Sequence, residues 1–313
     1  MPSIIDPAAG ASDANAAPRS LLLEGQRVAV EATPPGLYVV ATPIGNLGDV
    51  TLRALKILAG VDLIACEDTR ITRRLTAHYG ITTRLAAYHD HNAEKVRPML
   101  LERLARGASL ALVSDAGTPL VSDPGFRLVS EAIAQGHAVT TAPGATAAIV
   151  ALVLSGLPSD RFFFEGFLPA KSGARRKRIE ALKAIPATLI FYESPRRLAA
   201  SLADLAAVLG PRRAAVAREI TKHFEETTRG TLDELASTYA GEAAPKGEIV
   251  VVVAPPAAAE APADADIDAL LTELLASMSV RDAATAAAAR TGLPRKRLYG
   301  RALELAGASG AKP

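Results

Sequence analysis

The sequence predicts an α/β protein with two α/β domains side by side and a small helical module after them, and three observations carry that expectation. From Leu37 onward, short β-branched runs alternate with helical stretches, the pattern of βαβ units around a mostly parallel sheet. Gly156-Leu157-Pro158-Ser159-Asp160 then punctuates the chain as a hinge, and a second α/β pattern follows it. An Ala/Pro stretch near residue 256 separates that pattern from three short amphipathic helices. The 313 residues, 49% apolar and 22% charged, suffice for two cores and an appended module.

In chain order, residues 1–35 read as a disordered leader, rich in Ala, Ser and Pro and ending at Pro34-Pro35. The first domain spans 36–156. Its expected strands are Leu37–Ala41, Val61–Ala65, Ser109–Val113 and Ala138–Thr141; its expected helices are Thr51–Leu58, Thr69–His78, Ala93–Arg106, Phe126–Ala134 and Ala145–Leu154. The second domain spans 157–255, with strands at Arg161–Phe164, Thr188–Tyr192, Ala214–Arg218 and Glu248–Val253 and helices at Ala174–Lys183, Arg196–Val208 and Leu232–Tyr239. Residues 256–265 form a linker. Residues 266–308 hold helices at Ile267–Ser277, Val280–Arg290 and Arg295–Ala306, the last two joined by Thr291-Gly292-Leu293-Pro294 in the manner of a helix-turn-helix.

Composition removes several function classes. One cysteine, Cys66, allows neither an internal disulfide nor a multi-thiolate metal site, and it reads as a small apolar residue packed at its strand end. The net charge of +2 gives no global polyanion signal, so any nucleic-acid role rests on local clusters. No run reaches the ~18 apolar residues of a membrane span, and Met1 to Ala17 lacks a signal-peptide pattern, so the protein reads as cytoplasmic. The motifs of P-loop NTPases, dinucleotide-binding dehydrogenases, zinc proteases and α/β-hydrolases are all missing.

Three Gly/Pro-rich loops stand where strands end: Ala41 to Asp49, Ser114 to Gly125 and Ala142 to Ala147. In an open α/β sheet such loops converge on one crevice, where backbone can approach a ligand. Their sequences carry a resemblance. Thr42-Pro43-Ile44-Gly45-Asn46-Leu47-Gly48-Asp49, Cys66-Glu67-Asp68-Thr69-Arg70, Ser114-Asp115-Ala116-Gly117-Thr118-Pro119 and Pro143-Gly144-Ala145-Thr146 resemble the tetrapyrrole methylase superfamily. With Phe191-Tyr192-Glu193-Ser194-Pro195-Arg196-Arg197, Arg218 to Glu226 and Lys246 to Val250, the chain is similar over about residues 36–306 to the ribosomal RNA small subunit methyltransferase I family.

The resemblance implies a tetrapyrrole-methylase-like fold with S-adenosylmethionine in the cleft between the domains. It implies a homodimer that methylates the 2′-hydroxyl of a cytidine in 16S ribosomal RNA of the small subunit, near the decoding centre. Carried over by position, it places the cofactor at Pro43, Gly45, Ser114, Asp115, Gly117, Thr118, Pro119, Val121, Thr146, Ala147, Phe164 and Glu248, with Phe164–Phe167 and Gly247–Ile249 as the second-domain segments and Asp115 as the polar anchor. Methyl transfer needs alignment and a proton acceptor more than a metal. Glu67, Asp68 and His91 are the leading base candidates, with His89, Glu193 and Glu219 behind them. Asp68 equally suits a helix cap, and His89-Asp90-His91 a solvated loop; no metal is expected. Arg70, Arg73, Lys171, Arg196 and Lys222 are the expected RNA contacts. The clusters Lys171 to Arg178 and Arg295, Lys296, Arg297, Arg301 read either as RNA-facing or as solvated helix faces. A tetrapyrrole C-methyltransferase and a non-catalytic ribosome or RNA binder are the alternatives.

Overall fold

The computed structural model describes residues 19–120, 125–241, 243–257 and 264–308. The described residues up to 255 form one compact unit with two five-stranded sheets, and those after it form a second, helical unit. In the first sheet β3 (Gly36–Val40), β4 (Leu63–Cys66), β5 (Leu85–Ala87), β6 (Ser109–Val113) and β7 (Val139–Ala142) run parallel in the order β5-β4-β6-β3-β7. Its central strands β4 and β6 are buried on both faces, which is why they read as continuous apolar runs. Leu63, Ala65, Leu110 and Leu112 pack on one side with α3 (Ala93–Ala105) and α4 (Phe126–Ala134). Ile64, Cys66, Ala111 and Val113 pack on the other with α1 (Leu52–Gly60) and α2 (Thr69–His78).

Part of the expected leader has a fixed structure. β1 (Ser20–Leu23) and β2 (Gln26–Ala29) pair as an antiparallel hairpin around Glu24 and Gly25, both at positive φ, the two-residue geometry that matches strand twist. Leu21, 1% exposed, packs with Leu58 and Leu75, and the Leu22 N–H donates to the Tyr79 carbonyl at 2.7 Å. The earlier part of the leader, residues 1–18, lies outside the described residues.

The second sheet is mixed, in the order β11-β10-β12-β9-β8. β8 (Phe162–Phe167) and β9 (Thr188–Glu193) are parallel, whereas β10 (Arg213–Arg218), β11 (Glu226–Thr231) and β12 (Ile249–Val253) pair antiparallel. Leu189, Phe191, Val216, Val251 and Val253 face α6 (Ser172–Leu182), α7 (Leu198–Leu209) and α8 (Leu232–Ala240). Their neighbours Ile190, Ala217, Val250 and Val252 face α5 (Ala147–Ser155).

That last contact crosses the expected domain boundary. α5 follows β7 of the first sheet, yet Ala148, Ala151 and Leu152 are buried against the second. Its sequence, Ala147-Ala148-Ile149-Val150-Ala151-Leu152-Val153-Leu154-Ser155, is apolar all round, but only the Ala148, Ala151, Leu152 and Ser155 side is buried, and Ile149 and Val153 stay exposed. Gly156, at φ 69°, ends it in the left-handed C-cap position.

The helical unit comprises α9 (Asp264–Leu275), α10 (Val280–Thr291) and α11 (Arg295–Ala308) around Leu271, Ala283, Ala287, Leu298 and Ala302. Ser279 caps α10 by accepting from the Asp282 N–H, and Gly292 at φ 70° ends it. Much of the basic cluster on α11 is spent inside the unit. Arg297 pairs with Asp264 at 2.9 Å, and Arg301 with Asp268 at 2.6 Å and Glu304 at 2.5 Å. Arg295 and Lys296 make no such pair among the described residues, so the expected surface shrinks to those two.

Leu152→Ala removes the largest α5 side chain from the inter-sheet core and leaves a cavity. An expected loss of ~2–5 kcal/mol should appear as a lower urea midpoint at unchanged slope. A midpoint equal to the wild type's would mean that α5 does not hold the two sheets together.

Candidate active site

The three glycine-bearing loops meet at the carboxyl ends of the first sheet's strands. Thr42 and Gly117 form an isolated antiparallel bridge, with N–H to carbonyl distances of 2.9 and 3.1 Å. The Thr118 and Thr146 hydroxyls lie 2.7 Å apart, and Thr118 Oγ1 also donates to the Ala145 carbonyl at 3.2 Å. One lattice of short bonds thus ties the first loop to the second and the second to the third.

Between these loops and the second sheet lies a cleft of about 370 Å³. Ile44, Ala116, Gly117, Thr118, Thr146 and Ala147 line its first wall; Phe167, Tyr192, Glu193, Ser194, Pro195, Ile220 and residues 247–250 line the other. Of the cofactor positions expected from sequence, Gly117, Thr118, Thr146, Ala147 and Glu248 stand on this lining. Pro43, Gly45, Ser114, Asp115, Pro119 and Phe164 do not, and Val121 lies outside the described residues.

Gly45 serves a different end from ligand approach. A Cβ there would meet Lys222 Cγ at 2.5 Å, Thr221 Oγ1 at 2.9 Å and the Ile220 carbonyl at 3.1 Å. Its missing side chain admits the Ile220–Lys222 turn of the second half, which closes one end of the cleft. That turn is strained: Glu219 and Thr221 both sit at positive φ, 50° and 66°. Lys222 is locked there by Glu219 at 2.7 Å and Glu248 at 3.1 Å. Burial lowers the Lys222 pKa, but the hydrogen bonds to the two carboxylates outweigh it and raise the pKa overall. The Lys222 hydrogen bond holds Glu219 below the ordinary carboxylate value. Lys222 is therefore a latch between carboxylates and not the free phosphate contact expected of it.

Asp115 turns away from the cleft into a second hollow of about 440 Å³, shared with Glu67, Asp68, Thr69, Ala87, His89 and His91. It accepts a hydrogen bond from the Asp68 N–H at 2.9 Å. Burial raises its pKa, and burial with the nearby Asp115 charge raises that of Glu67. Asp68 behaves oppositely. It caps α2 by accepting from the Arg70 N–H, and hydrogen bonds from the Arg70 side chain hold its carboxyl down at about 2. That makes it a cap and a weak proton acceptor. His89 and His91 lie 5.9 Å apart between ring centroids, and His89 Nδ1 is buried without a hydrogen-bond partner. Burial pushes the Cys66 thiol up to about 11, so it is inert beneath this hollow.

The expected basic patch at 171–178 also divides. Arg175 is 3% exposed and hydrogen-bonded to Asp204 at 2.7 Å, and Arg178 pairs with Glu165 at 2.5 Å. Lys171 stays exposed. Arg73 and Arg74 line a shallow hollow on α2 beside Arg70. Glu193, 4% exposed, holds the turn after β9: it accepts from the Ser194 N–H at 2.8 Å and from the Ser201 hydroxyl, and Arg197 stands at 3.3 Å.

Residues 36–236 match the model of the tetrapyrrole (corrin/porphyrin) methylases, and residues 261–306 that of an RsmI C-terminal HTH domain. A ribosomal RNA small subunit methyltransferase I from Mesorhizobium japonicum is 58% identical over 279 residues, covering 88% of this chain and 94% of the relative. The chain belongs to the ribosomal RNA small subunit methyltransferase I family. The family's protein in Pseudomonas aeruginosa is 50% identical, over 87% and 98% of the two chains. Among solved structures, diphthine synthase aligns at TM-score 0.55 and 18% identity over 70% of this chain and 89% of its own. A uroporphyrin-III-C-methyltransferase from Thermus thermophilus aligns at 0.51 and 20% over 70% and 94%. At such identities these two show the fold alone.

This member of the family is an S-adenosylmethionine-dependent methyltransferase. The cleft fits that donor chemically. Ile44, Ile220, Ile249 and Val250 offer apolar surface to an adenine and a thioether chain, while Glu248 and the backbone of the Ala116–Thr118 loop supply polar partners.

Gly45→Ala tests the closure of the cleft. Its methyl group forces the Ile220–Lys222 turn outward at a cost of about 1–3 kcal/mol for overpacking. Donor affinity measured by calorimetry with S-adenosylhomocysteine should fall by about tenfold or more if that strain is relieved by opening the cleft. Wild-type affinity in the variant would remove the turn from the donor site.

Proposed function

We propose that this chain methylates the ribose 2′-hydroxyl of a cytidine in 16S ribosomal RNA near the decoding centre, using S-adenosylmethionine. The names of its relatives point to small-subunit ribosomal RNA as acceptor. The observation that carries the reading is the adjacency of two hollows: Ala116 and Gly117 line the apolar cleft, and Asp115, the preceding residue, lines the one with Glu67 and the histidines.

When bound, the donor supplies a methyl group on a sulfonium centre. Ile44, Ile220 and Val250 exclude water from the cleft, and the Thr118–Thr146 pair fixes its wall. On the other side of the turn, Asp115, with Glu67 beside it, accepts the one proton that the ribose hydroxyl gives away. Their raised pKa values suit them to this better than Asp68. Arg70, Arg73 and Arg74 on α2, which starts two residues after Glu67, present cations for flanking phosphates, although Arg70 is shared with Asp68. Arg196, exposed and without an ion pair among the described residues, does the same on the second half. Such a substrate places the enzyme in the cytoplasm; no helix among the described residues is long and apolar enough to cross a membrane. The homodimer belongs to the same reading: Phe126 and Ile133, 72% and 59% exposed and seven residues apart on α4, offer an apolar face to a second copy. A solution mass of one chain by light scattering would remove it.

The test is transfer of labelled methyl to small subunits from a strain lacking the enzyme. Wild-type protein should label the RNA at a cytidine 2′-oxygen; label on a tetrapyrrole alone, or none, overturns the assignment. Asp115→Asn should reduce the rate by about 10²–10⁴-fold, the usual contribution of a positioned base. Because the acceptor carboxylate must be unprotonated, the rate should fall as pH drops through a pKa above the ordinary 3.8 of an aspartate. A rate in the variant equal to the wild type's, with the same acid limb, would take Asp115 out of the proton path.

A further inference from the structure

β8 is the edge strand of the second sheet and carries Phe162, Phe163, Phe164 and Phe167 within six residues. Its pairing with β9 is regular up to Phe164↔Ile190, then skips Glu165 and resumes at Gly166↔Phe191 and Phe167↔Tyr192. Glu165 is thus the extra residue of a β-bulge, and Gly166 takes the positive φ of 74° that the bulge needs.

The bulge decides where Phe167 points. Side chains alternate between the faces of a strand, and on β9 Phe191 faces the α6–α8 core whereas Ile190 belongs to the α5 side. Without the extra residue, Phe167 would stand opposite Glu193, on the side of Phe191. With it, Phe167 is opposite Tyr192 and both line the cleft. Tyr192 stands edge-on to both neighbours, at 4.9 Å and 71° from Phe164 and at 5.7 Å and 65° from Phe167. Phe167 is braced by an aromatic neighbour yet remains 58% exposed. An open aromatic ring held upright at a cleft mouth is out of place in a core and well placed for stacking.

The turn that carries the nearest expected RNA-contacting cation is fixed to the same strand end. The turn Pro195–Arg197 is tied to the end of β8 because Arg197 donates to the Leu168 carbonyl at 2.5 Å while standing 3.3 Å from Glu193. Arg196 on that turn is exposed and pairs with no carboxylate among the described residues. The strand end carrying Phe167 and the turn carrying Arg196 therefore form one wall.

We infer that the bulge-presented Phe167, braced by Tyr192, stacks the base of an unpaired RNA nucleotide at the cleft mouth, with Arg196 on its phosphate. This rests on the RNA-methyltransferase reading and names a specificity element for it. Aromatic stacking with an arginine is how single-stranded RNA is gripped without a paired partner, and it holds a base whose ribose must reach a reactive centre. The competing occupant is the adenine of the donor.

Because the chain contains no tryptophan, Phe167→Trp installs a single indole reporter at this position. Its emission should be quenched by a short single-stranded RNA containing the acceptor cytidine and left unchanged by S-adenosylhomocysteine alone. Phe167→Ala should raise KM for small subunits by about tenfold or more, in line with the loss of one stacked base. It should keep donor affinity at the wild-type value by calorimetry, and Phe167→Tyr should restore KM. Quenching by S-adenosylhomocysteine alone, or an equal loss of donor affinity in Phe167→Ala, assigns the platform to the donor and overturns the inference. So does an unchanged KM in Phe167→Ala when the wild type methylates normally. Absence of methyl transfer by the wild type itself is the separate failure of the underlying reading.

Discussion

The site depends on the burial of one apolar helix on the wrong side of its own domain boundary. α5 leaves the third glycine loop of the first sheet and buries Ala148, Ala151 and Leu152 against Ile190, Val250 and Val252 of the second. Ile44 of the first loop and Ile220 of the strained turn join the same apolar cluster. Burial of that surface, at ~25 cal/mol per Å² of apolar area, fixes the distance between the sheets. The cleft is what remains open beyond it. Loops that would otherwise be independent turns become the two walls of one binding site because their roots share a core.

Around that seam, charge is used mainly for structure. Lys222 is caught between Glu219 and Glu248, Arg175 is buried on Asp204, Arg178 pairs with Glu165, and Arg297 and Arg301 with α9. Of the run 171–178 only Lys171 and Lys177 are left without a carboxylate partner among the described residues, and of the other expected RNA contacts in the first unit only Arg73 and Arg196. This matters because only an unpaired cation gains from meeting a phosphate; one already held by a carboxylate must first give that partner up.

The βαβ alternation, the three glycine loops, most helices and the helical unit were legible from periodicity, because long amphipathic or doubly buried segments announce themselves. The missed elements are those with weak patterns. β5 has three residues, and β11, Glu226–Thr231, is a polar edge strand held by its backbone pairing with β10. The hairpin β1–β2 was hidden because its second strand is exposed throughout and only Leu21 and its neighbours reach the core. In the site, Gly117, Thr118, Thr146, Ala147, Glu248 and Phe167 were named from the resemblance, and Tyr192 and Ile220 stand in runs that carry it, but nothing in the sequence showed how Phe167, Tyr192 and Ile220 enter the cleft. They reach the cleft through a bulge, a sheet register and a turn at positive φ, none of which has a spacing signature.

The sequence by itself therefore determined the class of fold and the loops on which a ligand would sit. Local pattern and turn chemistry act over a few residues and need no partner. Tertiary structure alone decided which face each residue met. It made Asp115 the acceptor of the Asp68 N–H, gave Gly45's empty space to Lys222, turned Arg175 inward and turned Phe167 outward. Those outcomes depend on contacts between residues far apart in the chain, which exist only after the sheets and helices have closed on one another.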